Sequence, residues 1–242
     1  MISEFESQCF KSPNGVHLPY RLYHTASKAL KPLVIFLHGS GERGVDNVLP
    51  LTANDSVPTL YQYAKEVEDA IILVPQAPYH QKIGAWVFDD ISEALTGLMT
   101  FIINHYPVDR QRIYIIGLSH GGAGVWNLLV KKPHLFAAAI NICGYIHGQA
   151  SAERVLARPI TKAEAKRMCD TPVWVFHAED DDVVHVDHSR AIVSALEKVG
   201  NQHVIYTEYE AGVIVPPHCS WDRAFQTSEL LPWLFSQKKT GG

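Results

Sequence analysis

The chain has 242 residues, 47% apolar and 19% charged, with 25 acids against 21 bases for a net charge of −4. That balance excludes intrinsic disorder, a coiled coil and a collagen-like chain, and the length suffices to bury a core without disulfide or metal staples. No run of Lys and Arg is present, so neither nucleic acid nor an anionic membrane surface is expected as the main partner.

In chain order, Met1 to Ser7 carry acids where a signal peptide carries bases, and no apolar stretch follows, so a cytoplasmic chain is expected. Ser12-Pro13-Asn14-Gly15 is a turn signal before the alternating run Val16 to Tyr23, which predicts an N-terminal antiparallel hairpin. Short, unalternating apolar runs follow at 33–37, 70–74, 113–116, 137–140 and 173–176, then a more alternating one at 204–207. Unalternating runs rich in β-branched residues mark strands covered on both faces.

Helical patterns fall between these runs. One spans 92–105 and stops before Pro107. Another spans 187–199, with Ile192, Ala195, Leu196 and Val199 on one stripe, Asp187 placed as N-cap and Gly200 as terminator. The alternation predicts an α/β fold: a doubly wound, mostly parallel sheet within one domain, residues 1–237. Residues 144–170 read as a small excursion over the site, and 238–242 as a frayed tail.

Two stretches, 113–130 and 133–152, lack charge over a membrane-spanning length. Gly117, Ser119, His120, Gly121 and Gly122 interrupt the first, and Asn141, Gly144, His147, Gly148 and Gln149 the second. They read as buried strand plus glycine turn, so no membrane span is expected. Cys9, Cys143, Cys169 and Cys219 are scattered, without a CxxC pair or metal-ligand spacing. Reduced thiols, no metal and no cofactor are expected.

The sharpest chemical signal is Gly117-Leu118-Ser119-His120-Gly121, a G-x-S-x-G placed where an apolar strand gives way to a helical pattern. A serine on so tight a turn occupies strained backbone, so its neighbours must be small, as Gly117 and Gly121 are. The turn sets the hydroxyl at a helix N-terminus, which favours a developing anion. A phosphate loop is the competing reading, but the lysine of a P-loop and the G-x-G-x-x-G spacing are missing.

An oxyanion hole at such an elbow needs a second N–H from the loop after an earlier strand. His38-Gly39-Ser40-Gly41-Glu42-Arg43-Gly44 follows the run 33–37 and fits. The expected donors are the amide of His120 and that of Ser40, or else Gly41. Glu42 and Arg43 are expected to pair and hold the loop, and His38 to brace it.

A serine nucleophile on this fold is followed in the chain by an acid and then a histidine. After the run 173–176 come Glu179, Asp180, Asp181 and Asp182, too many for each to be catalytic. The only histidine beyond His203 is His218, which makes it the candidate base.

The segment His177 to Val184 resembles H-G-x-x-D-x-V-V-P, the acid loop of α/β-hydrolase esterases, with His185 where the family has proline. Aligned so, the resemblance places the acid at Asp181, with Asp180 or Asp182 as alternatives. His218-Cys219-Ser220-Trp221-Asp222 resembles the family's H-x-S-W-D signature. The resemblance runs from Tyr20 to Leu234 and includes Pro75-Gln76-Ala77-Pro78 and Val108 to Tyr114. It is to the phospholipase/carboxylesterase-like group labelled predicted peptidase, related to feruloyl esterases.

That resemblance implies a serine carboxylesterase that hydrolyses small or aromatic esters through Ser119, Asp181 and His218. It also sets Trp86 near the acyl or leaving-group pocket, beside an equal case for a core role. A serine peptidase of prolyl-oligopeptidase type and a silent hydrolase fold used for binding are the alternatives. The expected partner is a small-molecule ester, and the oligomeric state is open. Leu49, Leu51, Tyr61, Tyr63 and Tyr145 hint at an apolar or aromatic substrate.

Overall fold

Covered strands need helices on both faces, and the unalternating runs have them. The structure, a computed structural model, describes residues 1–79, 85–148 and 157–239. Among these, eight strands form one sheet: β1 (Glu6–Lys11), β2 (His17–Tyr23), β3 (Lys31–Leu37), β4 (Ile71–Pro75), β5 (Val108–Leu118), β6 (Ala138–Ile142), β7 (Val173–Ala178) and β8 (Val204–Tyr209). The order across the sheet is β1-β2-β4-β3-β5-β6-β7-β8. β1–β2 and β2–β4 are antiparallel and all later pairings are parallel. The expected hairpin is therefore present, turning at Gly15 with φ 85°.

The helices are α1 (Leu49–Thr52), α2 (Ser56–Tyr63), α3 (Asp89–His105), α4 (His120–Lys131), α5 (Lys162–Arg167), α6 (Asp187–Lys198), α7 (Ser220–Phe225) and α8 (Leu230–Ser236). Successive strand residues point to opposite faces, so each strand feeds two cores. Leu33, Ile35, Ile113, Ile115 and Val175 pack with Leu95 of α3, Leu128 of α4 and Leu196 of α6. Val34, Phe36, Tyr114, Ile116 and Phe176 pack with Leu60 of α2, Phe225 of α7 and Leu234 of α8. Each fully buried side chain of this size contributes about 1.5–3 kcal/mol.

Leu51 and Tyr61, read from sequence as hints of substrate contact, belong to the second core instead. They lie on the inward faces of α1 and α2, helices that sequence periodicity did not reveal. Asp187 is not the N-cap either. Val186 is already in the αR region, which makes Asp187 the first helical residue, and its carboxylate meets Arg190 at 3.1 Å. Gly200, at φ 97°, does follow the helix end.

The charge-free stretch 113–130 is the end of β5, a turn and most of α4. No helix among the described residues is long and apolar enough to cross a membrane. In the tail, the Lys239 amide donates to the Gln111 carbonyl at 3.1 Å; residues 240–242, like 149–156 of the expected excursion, lie outside the described residues. Parallel registry aligns Leu37 with Gly117, Gly117 with Asn141 and Ile142 with Phe176. The loops after β3, β5, β6 and β7 thus leave the sheet at one edge, where an open α/β sheet binds its ligands.

Candidate active site

The strained serine expected from the sequence is there. Ser119 has φ 51° and ψ −113° between β5 and α4. Its amide donates to the Ile142 carbonyl at 2.8 Å, which ties the turn to β6. The glycines around it are sterically required: a Cβ on Gly121 would lie 1.9 Å from the Leu37 carbonyl oxygen, and one on Gly117 2.3 Å from the Gly121 oxygen. His120 opens α4, so its amide sits at the helix N-terminus, where the dipole favours negative charge. Asn141 holds the far side: it donates to Gly122 O at 2.8 Å and accepts from the Gly144 amide at 3.1 Å.

The loop after β3 passes over this turn. A Cβ on Gly39 would stand 3.7 Å from Ser119 Cβ, which brings Ser40 to the same edge. His38 braces the loop. The Ala77 amide donates to His38 Nε2 at 3.0 Å, so Nδ1 carries the hydrogen and donates to Gly39 O at 2.6 Å. Burial pushes this imidazole down to about 4, so it is neutral. Arg43 donates to Ser40 O at 2.9 Å rather than pairing with Glu42, whose carboxylate lies 3.8 Å from His38.

Trp86 is fully buried and packs edge-on against His38, and its indole N–H donates to the His38 carbonyl at 3.0 Å. Its contacts among the described residues are those of a core side chain supporting the loop. Gln76, to which the sequence assigns no role, accepts from the Asn47 amide at 2.6 Å and donates to Glu42 O at 2.9 Å.

Asp181 and His218 meet Ser119 at this edge. Ser119 Oγ is 2.8 Å from His218 Nε2. His218 Nδ1 is 2.8 Å from Asp181 Oδ2 and 3.0 Å from Oδ1. The side chain of Asp181 has no exposed surface and that of His218 is 15% exposed, so the chain of hydrogen bonds runs from the interior to an accessible rim. The amides of Val183 and Val184 donate to Asp181 Oδ1 at 2.9 and 2.8 Å.

The other acids of the run have different partners. Glu179 and Asp180 accept from the amides of Ala211 and Gly212, at 3.3 and 2.8 Å, and so anchor the loop that carries His218. This division of labour depends on contacts 32 residues away, which spacing within the run does not contain.

Burial opposes ionisation of Asp181, but hydrogen bonds from His177, His218 and the Val184 amide outweigh it and hold the carboxyl well below its usual range. Burial likewise opposes the charged form of His218. The bond to Asp181, together with the neighbouring Cys143 thiol, reverses that and raises the imidazole above its ordinary value.

Cys143 is a second residue the sequence did not single out. It follows β6 at φ 44° and its thiol donates to the His218 carbonyl at 3.6 Å. Cys143, Asp181 and His218 are the one set of potential metal donors among the described residues, within 4.8 Å of one another. Two of the three are already joined by a hydrogen bond, an arrangement suited to moving a proton. Tyr145, one of the aromatic hints, is buried with its hydroxyl 3.0 Å from His120 Nδ1. Tyr63 instead lines a separate cavity of ≈ 550 Å³ with Pro58, Phe225 and Leu231, which none of Ser119, Asp181 and His218 lines.

A serine raised on a strained strand-to-helix turn, at the carboxyl edge of a doubly wound sheet, is the architecture of an α/β-hydrolase. Comparison narrows this further: residues 57–212 match the model of the dienelactone hydrolase family, and the chain belongs to that family. A solved thermostable esterase superposes with a TM-score of 0.86 at 35% identity, over 98% of this chain and 64% of that one. A ferulic acid esterase superposes with a TM-score of 0.69 at 19% identity, over 96% and 97% of the two chains, a likeness of fold alone. Acylamino-acid-releasing enzyme 1 of Oryza sativa subsp. japonica is 27% identical over 143 residues, which are 53% of this chain and 17% of that protein. The chain thus spans less than two thirds of both the thermostable esterase and the Oryza sativa enzyme.

Proposed function

We propose that this chain is a serine carboxylesterase acting on small or aromatic esters. The observation that carries the reading is the unbroken hydrogen-bond chain from Ser119 Oγ through His218 to buried Asp181, at 2.8 Å in each step. His218 Nε2 takes the hydroxyl proton as Ser119 Oγ attacks the ester carbonyl carbon. Asp181 stays ionised, orients the ring and stabilises the imidazolium.

The carbonyl oxygen becomes an oxyanion, and the amides of His120 and Ser40 donate to it. Losing one such donor costs about 2.7–4 kcal/mol in the transition state. His218 then gives its proton to the departing alkoxide. Water repeats the sequence on the acyl-serine, releases the acid and restores Ser119. Every proton in the cycle has a named carrier, and no cofactor enters it.

The substrate class rests on the loops around this edge, which expose apolar side chains: Val183 is 57% exposed, Val215 86% and Tyr79 73%. Isolated apolar exposure is common, but these three stand on the loops after β7, β8 and β4. The test is intact-mass analysis after treatment with a fluorophosphonate. A single adduct on the native chain, absent from Ser119→Ala, is the expected result; an unlabelled native chain contradicts the reading.

A peptidase reading has one observation in its favour, the stretch shared with the acylamino-acid-releasing enzyme. Faster cleavage of an N-acetyl-amino-acid anilide than of a matched aryl ester would select it.

A further inference from the structure

His177 is a buried titratable group that the proton cycle above does not use. It lies on β7, and neither its side chain nor that of Asp181 has any exposed surface. Its Nε2 is 2.7 Å from the Val184 carbonyl oxygen and 3.2 Å from Asp181 Oδ2. Both neighbours only accept hydrogen bonds, so Nε2 carries the hydrogen. On the other side of the ring, Nδ1 is 2.7 Å from Ser189 Oγ on α6, which is itself fully buried.

We infer that His177 is a positioning residue for Asp181: it holds the acid loop through the Val184 carbonyl and sets its Nε2 edge against the carboxylate, while Ser189 anchors the far side of its ring. This rests on the esterase reading above. An ionised carboxylate has about four acceptor sites. At Asp181 the amides of Val183 and Val184 donate to Oδ1 and His218 Nδ1 lies 2.8 Å from Oδ2, while His177 Nε2, whose hydrogen goes to the Val184 carbonyl, stands against Oδ2 at 3.2 Å.

With the carboxylate enclosed, no outside group takes the place of His177, and losing its hold on Val184, whose amide donates to Oδ1, together with its contact on Oδ2 leaves the carboxylate free to turn in its plane. Such a turn changes the direction of the His218 ring, and with it the alignment of Nε2 on Ser119. His177 reaches neither Ser119 nor a substrate, and its effect passes through Asp181. It also joins three elements, since β7, the acid loop and α6 all meet on its ring.

The experiment is steady-state kinetics on an aryl ester for the native chain and for His177→Leu, His177→Gln and Ser189→Ala, with Ser119→Ala alongside. Partners that orient a functional group typically matter by about 10- to 100-fold, so His177→Leu should lower kcat by that factor with KM within about twofold. His177→Gln, which restores an N–H near the Nε2 position, should recover most of the loss. Ser189→Ala should lower kcat by several-fold, again with KM unmoved.

If His177→Leu does not fold, Ser189→Ala and His177→Gln still decide. Native kcat in Ser189→Ala overturns the inference, as does native kcat in His177→Leu, or a His177→Gln no faster than a folded His177→Leu. Turnover that survives in Ser119→Ala instead overturns the esterase reading itself, whatever His177 does.

Discussion

Asp181 Oδ2 lies 2.8 Å from His218 Nδ1, although 37 residues separate the two in sequence. The acid comes from the loop after β7 and the histidine from the loop after β8, and parallel pairing of those strands sets the loops side by side. The neighbouring acids make this arrangement possible, because Glu179 and Asp180 grip the backbone of the loop that delivers His218.

Substitution within the acid run therefore separates chemistry from scaffolding. Asp181→Asn should lower kcat by about 10⁴-fold, since the amide favours the wrong tautomer of the histidine. Asp182→Asn, an exposed side chain, should leave kcat close to native. Asp180→Asn should fall between, through a looser His218 loop. Ester hydrolysis rates for the three variants check the ranking, and a larger loss in Asp180→Asn than in Asp181→Asn reassigns the acid.

The pH dependence follows from the raised position of His218. Catalysis needs the neutral imidazole, and a raised value keeps the ring protonated to higher pH. The rate kcat/KM should therefore climb with pH, with its midpoint above the ordinary histidine value of about 6.5. A profile flat between about pH 6 and 8 contradicts this.

Stability should respond in the opposite range. His38 is held neutral by burial and pushed down to about 4, while in the unfolded chain it titrates near its ordinary value. Between those values the unfolded state binds the extra proton, so stability is full above about pH 6.5 and lost as pH falls towards 4. The interval between the two values corresponds to about 3 kcal/mol from this one group. Urea denaturation at pH 7 and pH 5 should show about 2 kcal/mol of it; His38→Gln, which keeps a neutral side chain, should flatten the dependence.

Gly121→Ala tests the close approach of the elbow to β3. The added methyl would meet the Leu37 carbonyl, a backbone atom that cannot swing away. A loss on the order of 4 kcal/mol is expected, comparable to the severest single substitutions. Thermal unfolding of the variant decides; a melting temperature within a degree or two of native contradicts the packing described.

Much of this is legible in the chain. The covered strands declare themselves through Leu33 to Leu37 and Val173 to Phe176, since only a strand buried on both faces tolerates so unbroken an apolar run. Ser119 stands out because its glycines have a steric reason that short spacing captures. His218 follows from chain order. Asp181 requires the family resemblance, because four adjacent acids differ only in partners that lie far away in sequence.

The supporting residues are less visible. His177 reads only as part of a motif, since Val184 reaches it only when the acid loop folds back and Ser189 only when α6 packs on β7. Gln76 and Asn47 are silent for the same reason: a buried amide network leaves no periodicity. Asp187 sits one position past the cap expected of it, because the turn at His185 and Val186 enters helical geometry before the residue whose side chain suits a cap.

The central claim is that Ser119 is the nucleophile, and hydrolysis of a short aryl ester by Ser119→Ala measures it most directly. A fall in kcat/KM of at least about 10³-fold is predicted, with the melting temperature preserved. Turnover within tenfold of native in a folded Ser119→Ala chain would contradict it.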